Sequence, residues 1–217
     1  IDSGEILYEK NSDRPMFPAS TTKIMTALLT LENLNLSDKI TVPEDMGPAD
    51  GSAMYLLPGE TFSVRELLDG LLVKSANDAA VLLARTISGD TDKFAIVMNQ
   101  RAKEIGCKNT HFANPNGLHN PNHTISAYDM ALIAREAMKN ATVRDLVSQV
   151  NLTLDETPQT PEKRYFRNTN RFLWSTSKII YNNEYIPIKY EVVDGIKTGY
   201  TGEAGNCLVS SGKKNDI

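Results

Sequence analysis

The chain has 217 residues, 41% of them hydrophobic and 23% charged, which is enough for a substantial buried core in one large domain or in two lobes that share a cleft. Its formal net charge of -4 argues against a nucleic-acid partner, since nucleic-acid-binding proteins usually carry a basic face. No apolar run approaches the ~20 residues that a transmembrane helix needs.

In chain order, the first predicted elements are a strand and an amphipathic helix. Residues 4–8 follow an Asp-Ser-Gly turn and have the composition of a strand, and Pro15 and Pro18 then break the chain. Behind these prolines, apolar residues recur at three- and four-residue steps, which predicts a helix that buries one face. The apolar positions of this helix are Ile24, Ala27, Leu28, Leu31 and Leu34.

Four more helices are predicted before residue 140. Two helical stretches rich in leucine and alanine meet at a short join over residues 74–78, where Asn and Asp are natural cap residues. Two further helices are predicted at about residues 93–105 and 127–139, with a turn at residues 114–117 between them.

After about residue 150 the chain becomes rich in Thr, Tyr, Val and Ile, which predicts strands at residues 190–196 and 206–210. The order of strand, helices and strands predicts an α/β (α+β) fold, in which an antiparallel sheet is flanked by helices and carries a mostly helical inserted lobe. We interpret the chain as a single catalytic domain. Its sheet lobe would comprise about residues 1–19 and 165–217, and its helical lobe about residues 20–164.

Ser20 and Lys23 place a hydroxyl and an amine three residues apart at the start of the first predicted helix, on one face. A neutral amine can take the hydroxyl proton, so such a pair can catalyse acyl transfer. The free N–H groups of a helix start can also stabilise an oxyanion. The alternative interpretation is a helix-capping serine. Three other Ser–Lys pairs have this spacing, but only Ser20 opens a long amphipathic helix behind a Pro-Ala step.

Two further motifs have side chains suited to the same chemistry. Ser75 and Asn77 offer a hydroxyl that can pass a proton and an amide that can hold a peptide backbone, although both are also ordinary cap residues. Lys197, Thr198 and Gly199 offer a cation, a hydroxyl and a bare backbone on a predicted strand, to which a peptide could add as a further strand. The three motifs occur in the order that is a signature of β-lactamases and penicillin-binding proteins.

With these motifs, the chain resembles the low-molecular-mass penicillin-binding proteins of the β-lactamase/transpeptidase-like superfamily, specifically the serine-type D-alanyl-D-alanine carboxypeptidases. The resemblance covers nearly the whole chain and includes longer strings than the three motifs. These strings lie at residues 2–11, 51–56, 75–80, 114–118 and 199–205.

The resemblance implies a substrate, a mechanism and a location. The substrate would be a peptidoglycan stem peptide ending in D-Ala-D-Ala, with β-lactams as inhibitors that acylate Ser20 in its place. The backbone N–H groups of Ser20 and Tyr200 would form the oxyanion hole, Lys197 and Thr198 would face the substrate carboxylate, and Ser75 would relay a proton. The reaction would take place outside the cytoplasm, in the bacterial cell envelope, and would need no cofactor.

Lys23 is the expected general base, with a pKa lowered by burial and by the nearby cation Lys197. The choice of base is disputed across this class of enzymes. The amide of Asn77 and the backbone of Gly199 are expected to bind the substrate beside this pair.

The chain departs from the family at its ends. We expect residues 215–217 to form a turn, and the family's last core strand, a carboxylate-binding arginine on that strand, its final helix and its C-terminal β domain lie outside the sequence. The chain is therefore expected to be a partial piece. Peripheral membrane association through segments that this sequence lacks stays open.

Three rival interpretations remain. A class A β-lactamase shares the three motifs but needs a deacylating glutamate on a loop, and Glu136 with Asn140 has the spacing of that loop within a helical pattern. A β-lactam sensor domain would acylate without turnover. A metal hydrolase could use His119, His123 and Asp129, although both histidines lie in a loop whose geometry is not fixed.

Two cysteines complete the candidate reactive groups. Cys107 and Cys207 are distant in sequence, and this separation favours buried free thiols over a disulfide or a metal site.

Overall fold

A computed structural model of the protein describes residues 3–214, and six α-helices lie within that range. They are α1 (Lys23–Asn33), α2 (Val64–Asp69), α3 (Asn77–Ser88), α4 (Thr91–Ile105), α5 (Ala127–Met138) and α6 (Ala141–Ser148). Two of them confirm predicted helices closely, since α4 begins two residues before the predicted start and α5 ends one residue before the predicted end. None of the helices in this range is long and apolar enough to cross a membrane.

Ten strands in the same range form five antiparallel pairs. The pairs are β1 (Lys39–Thr41) with β2 (Thr61–Ser63), β3 (Thr110–His111) with β4 (Thr124–Ile125), β5 (Asn151–Leu154) with β6 (Arg164–Arg167), β7 (Lys178–Tyr181) with β8 (Glu184–Pro187), and β9 (Val193–Thr201) with β10 (Gly205–Gly212). The mixture of helices with purely antiparallel strands confirms the predicted fold class. The pair β9–β10 is the longest and carries the third sequence motif.

The strand predictions need two corrections. The strand predicted at residues 190–196 begins only at Val193 and continues to Thr201, because Tyr190 accepts a turn hydrogen bond from the N–H of Val193 before the pairing with β10 starts. The strand predicted at residues 4–8 is wrong: this segment is exposed and pairs with no strand among the described residues. Its composition favours a strand, but a strand also needs a partner for its backbone groups. The turn predicted at residues 215–217 lies outside the described residues.

The prediction that α1 buries one face is too narrow: Ile24, Ala27 and Leu28 are buried, but so is every other residue over 23–30, because other elements cover the helix on all sides. The predicted apolar positions Leu31 and Leu34 are only half-buried. The helix packs against α3 and α5, and a short 3₁₀ turn, Ala19–Thr22, precedes it. Ser20 therefore lies in this 3₁₀ turn, three residues before the α-helix proper begins at Lys23.

The join between α2 and α3 is an unusual piece of backbone. Helix α2 begins with a capping box, in which Ser63 and Glu66 satisfy each other's backbone N–H groups. Its last turn continues as a π-helical segment, Gly70–Lys74, and ends at Ser75 in a left-handed conformation with φ 66°. This conformation is uncommon for a residue other than glycine and often marks a functional site.

The two cysteines are free thiols, as predicted, but they are half-buried rather than buried. Burial raises the pKa of both Cys107 and Cys207.

Glu60 is the centre of a buried polar cluster that joins β6 to the loop before β2. Its carboxylate is fully buried and accepts hydrogen bonds from Arg164 at 2.9 Å, Thr160 at 2.9 Å and Thr157 at 2.5 Å. Burial alone raises the pKa of Glu60. These hydrogen bonds and one from the backbone of Leu57 outweigh burial, so the pKa lies below its usual value.

We expect Glu60→Gln to lower the free energy of unfolding by about 3 kcal/mol, because the Arg164 side chain would keep a charge that is only 10% exposed without its partner. Urea unfolding at neutral pH measures the effect. The exposed Glu44 supplies the control, since Glu44→Gln should change stability by less than about 0.5 kcal/mol. Equal losses in the two variants would contradict this account of the cluster.

Candidate active site

The amine of Lys23 lies 2.9 Å from the hydroxyl oxygen of Ser20. The prediction that both side chains lie on one face is confirmed, and the 3₁₀ turn brings the hydroxyl to the amine across one helical turn. Lys23 Nζ also donates a hydrogen bond to the backbone carbonyl of Asn116 at 2.7 Å. This carbonyl belongs to the turn predicted at residues 114–117, and the contact, which no local sequence pattern indicates, orients the amine.

The turn at residues 114–117 packs directly against the Ser20 turn. Gly117 has φ +86°, and a Cβ there would lie 1.9 Å from the carbonyl oxygen of Ala19. Thr26 on α1 donates a hydrogen bond to the carbonyl of Pro115 at 2.6 Å. Contacts at Gly117 and at Pro115 therefore hold this turn against the backbone that carries Lys23. The contact at Gly117 is possible only because glycine has no side chain.

Lys23 is completely buried, and its pKa lies well below the usual value. Burial is the main cause, and the ammonium of Lys197 adds a second lowering effect, while the carboxylate of Asp78 opposes them. Lys197 is also buried, and burial lowers its pKa to about 7. Repulsion between the two buried ammonium groups is mutual, so the state in which both are charged is disfavoured. A neutral amine at Lys23 is therefore favoured when Lys197 carries a charge.

The second motif begins at Ser75, the residue with the left-handed backbone conformation. The N–H of Asn77 donates to the carbonyl of Ser52 at 2.7 Å, and its side-chain N–H donates to the carbonyl of Asp50 at 2.6 Å. The side-chain oxygen of Asn77 is buried and has no hydrogen-bond partner among the described residues. A buried acceptor without a partner costs about 1–3 kcal/mol, which a ligand N–H would recover.

The third motif runs along β9 beside the Ser20 turn. A Cβ on Gly199 would lie 2.8 Å from the backbone nitrogen of Ser20 and 3.1 Å from that of Thr21. Two stretches of backbone thus touch with no side chain between them. Lys197 Nζ donates to the carbonyl of Thr198 at 2.9 Å, so its cation lies under the strand rather than in solvent.

A cleft of about 510 Å³ lies where these segments meet. Five of the predicted site residues line it, whereas Lys23 and Lys197 are buried behind its wall. The five are Ser20, Ser75, Thr198, Gly199 and Tyr200. Asn77 is buried, does not line the cleft and donates hydrogen bonds to the carbonyls of Ser52 and Asp50.

The cleft also contains residues that the sequence analysis did not predict. Most of them come from the segment after β6 and from β10, and they are Ser52, Thr169, Asn170, Arg171, Phe172, Ile188, Asn206, Cys207 and Leu208. No local motif marks them. They reach the cleft through long-range packing against β9, which spacing along the chain does not reveal.

The histidines considered as metal ligands have other contacts. His123 is buried, and its Nδ1 accepts a hydrogen bond from the N–H of Ala113 at 3.2 Å, so its Nε2 carries the proton toward Thr22 Oγ1 at 2.9 Å. Burial, and then the charge of His111, lower its pKa to about 4. His119 packs edge-on against Phe17. In the described part of the chain, no three His, Cys, Asp or Glu side chains are grouped as a metal site.

Residues of all three motifs thus line one cleft, as expected from the resemblance to the penicillin-binding proteins. The chain belongs to the D-alanyl-D-alanine carboxypeptidase family Peptidase_S11, whose family model matches residues 1–217. It is similar to the D-alanyl-D-alanine carboxypeptidase DacF of Bacillus subtilis, with 42% identity over 221 residues that cover 100% of this chain and 53% of that protein.

Solved structures give the same result. The fold is similar to the D-alanyl-D-alanine carboxypeptidase DacD of Francisella tularensis, with a TM-score of 0.85, 32% identity and coverage of 99% of this chain and 61% of that one. It is also similar to a DD-transpeptidase of Streptomyces, with a TM-score of 0.82, 32% identity and coverage of 97% and 80%. The chain spans about half the length of the curated relatives it matches.

The contact at Gly199 yields a direct test of the site geometry. We expect Gly199→Ala to lower the free energy of unfolding by about 1–3 kcal/mol, because the added methyl meets backbone atoms that cannot rotate away. Thermal unfolding measures the loss. Gly202 lies in the next turn, and a Cβ there would meet nothing within 4 Å, so Gly202→Ala should be neutral. A neutral Gly199→Ala would show that the two backbones are farther apart than described.

Proposed function

We propose that the protein is a serine-type D-alanyl-D-alanine carboxypeptidase, which removes the terminal D-Ala from peptidoglycan stem peptides ending in D-Ala-D-Ala. The observation that carries this proposal is the 2.9 Å approach of the buried Lys23 amine to the Ser20 hydroxyl at the wall of a cleft. The similarity to proteins named D-alanyl-D-alanine carboxypeptidases supports the choice of substrate. Action on peptidoglycan places the protein outside the cytoplasm.

In the proposed mechanism, Ser20 Oγ attacks the carbonyl carbon of the penultimate D-Ala while the neutral Lys23 amine takes the hydroxyl proton. The backbone N–H groups of Ser20 and Tyr200 stabilise the oxyanion of the tetrahedral intermediate. As the intermediate collapses, the C–N bond breaks and the terminal D-Ala leaves with a proton relayed by Ser75. Water then attacks the acyl-enzyme, regenerates the Ser20 hydroxyl and releases the shortened peptide. No cofactor takes part.

Substrate binding is assigned to the walls around this nucleophile. Asn77 does not line the cleft, so the expected hydrogen bond from a substrate N–H to its unpartnered side-chain oxygen would need a local opening at Ser52. The free carboxylate of the terminal D-Ala would lie near Lys197 and the hydroxyl of Thr198. Because an anion beside Lys197 favours its charged form, substrate would raise the lowered pKa of this amine. A β-lactam with its carboxylate would occupy the same place and acylate Ser20.

Glu136 argues against the class A β-lactamase alternative. It lies within α5, accepts a hydrogen bond from the Lys139 amine at 2.5 Å and lies 3.4 Å from the Arg101 guanidinium. Asn140 caps α6. Neither residue lines the cleft, so neither is placed to activate a deacylating water. The β-lactam sensor interpretation differs from ours only in turnover and is distinguished by experiment.

The proposal is tested by labelling and by turnover. We expect a fluorescent penicillin to label Ser20, as mapped by mass spectrometry, and we expect Ser20→Ala to abolish the label while Ser148→Ala, an exposed control on α6, retains it. A peptide ending in D-Ala-D-Ala should release free D-alanine. Labelling without D-alanine release would favour a sensor, and label on another residue would refute the Ser20–Lys23 mechanism.

The lowered pKa of Lys23 predicts a pH effect. Acylation needs a neutral Lys23, so its rate should rise with pH through the lowered pKa of that amine and then level off. Lys197→Met removes the cation that helps to lower this pKa, so the rise should move to higher pH. The measurement is the acylation rate at saturating penicillin from pH 4 to 9.

The control for this experiment is Lys189→Met, which removes an exposed cation paired with Glu191 and should leave the pH profile unchanged. A Lys197→Met profile that keeps its position, or that moves to lower pH, would show that Lys197 does not set the pKa of Lys23.

A further inference from the structure

We propose that Thr169 is a positioning residue that orients the hydroxyl of Thr198 toward the carboxylate of the bound substrate. The two hydroxyl oxygens lie 2.6 Å apart in the cleft wall, within the range of a strong O–H···O hydrogen bond. This inference rests on the proposed function, since it concerns the residue that we assign to the substrate carboxylate. Thr169 belongs to none of the three sequence motifs.

The backbone around Thr169 is fixed by two buried asparagines. Asn168 and Asn170 are 2% and 1% exposed, while Thr169 between them is exposed in the cleft. The Asn168 side chain donates to the carbonyl of Gln149 at 2.7 Å and accepts from the N–H of Asn170 at 2.8 Å. The Asn170 side chain donates to the carbonyl of Gly195 on β9 at 3.3 Å.

Two further contacts hold the same turn from other elements. The N–H of Thr169 donates to the carbonyl of Val73, in the π-helical segment that ends at Ser75, at 3.2 Å. The indole of Trp174 donates to the carbonyl of Asn168 at 2.8 Å. The turn is therefore tied both to the second motif and to β9, and these contacts fix the backbone of Thr169 opposite Thr198.

The direction of the Thr169–Thr198 hydrogen bond decides what Thr198 offers to a ligand. Each hydroxyl has one proton and two lone pairs. If Thr198 donates to Thr169, its lone pairs face the cleft and repel a carboxylate. If Thr169 donates to Thr198, the Thr198 proton is free for the carboxylate, and the chain of two hydrogen bonds strengthens the second one. An incoming anion selects the second arrangement.

Acylation by a penicillin with a free carboxylate tests this role. We expect Thr169→Val to lower the second-order acylation rate constant about tenfold, since hydrogen bonds to charged groups are stronger than neutral ones. Thr169→Ser, which restores the hydroxyl, should return the rate to within about twofold of the wild type. Thr153→Val, an exposed threonine on β5 outside the cleft, should have no effect.

Two readouts separate positioning from a structural role. In a Thr198→Val background, Thr169→Val should cause no further loss, because the hydroxyl that it orients is already absent. With the methyl ester of the same penicillin, which has no carboxylate, Thr169→Val should have little effect. A structural role would lower all these rates alike.

The outcomes distinguish this inference from the proposed function. If the wild-type protein is not labelled on Ser20, the proposed function fails and the inference fails with it. If the wild type is labelled, and Thr169→Val acylates at the wild-type rate or adds its full loss to that of Thr198→Val, the positioning role alone is overturned.

Discussion

The structure depends on keeping the amine of Lys23 in a completely buried place next to the Ser20 hydroxyl. A buried amine loses its hydration, so its neutral form is favoured, and the nearby Lys197 adds to that preference. A lysine in water would be protonated at neutral pH and could not accept a proton. The carbonyl of Asn116 supplies the hydrogen bond that a buried amine still requires.

This arrangement has a cost in stability that is linked to pH. In the unfolded chain both lysines bind a proton up to their ordinary pKa of 10.5, whereas in the folded protein their pKa values are lower. The unfolded state therefore binds more protons between about pH 7 and 10.5, and the contribution of Lys197 to stability rises with pH through that window. Below about pH 7, Lys197 is charged in the folded protein, and the free energy lost by burying this cation has to be offset by the surrounding apolar core.

The sequence allowed the candidate site residues to be selected, because each motif combines a chemical type with a local spacing, and the structure brings residues of all three motifs to one cleft. The pairing of Ser20 with Lys23 is local, and so is the apolar face of α1. The contact of Asn116 with Lys23 joins residues 93 positions apart through a backbone carbonyl, which any residue type could supply. The strand prediction at residues 4–8 failed for another reason, since strand propensity does not reveal whether a partner strand is present. The hydrogen bond between Thr169 and Thr198 was not predicted because it joins side chains 29 positions apart and no local spacing marks it.

The close approach of β9 to the Ser20 turn at Gly199 affects how the site can change. Two side chains in contact can adjust by changing rotamer, but two backbones in contact have no such freedom. A movement of β9 at this contact would therefore displace Lys197, Thr198 and Tyr200 together relative to Ser20. Under the proposed function, a substitution elsewhere that tilts β9 would disturb the binding of peptide and of β-lactam alike. Resistance to β-lactams reached by that route would then also weaken the binding of the peptide substrate.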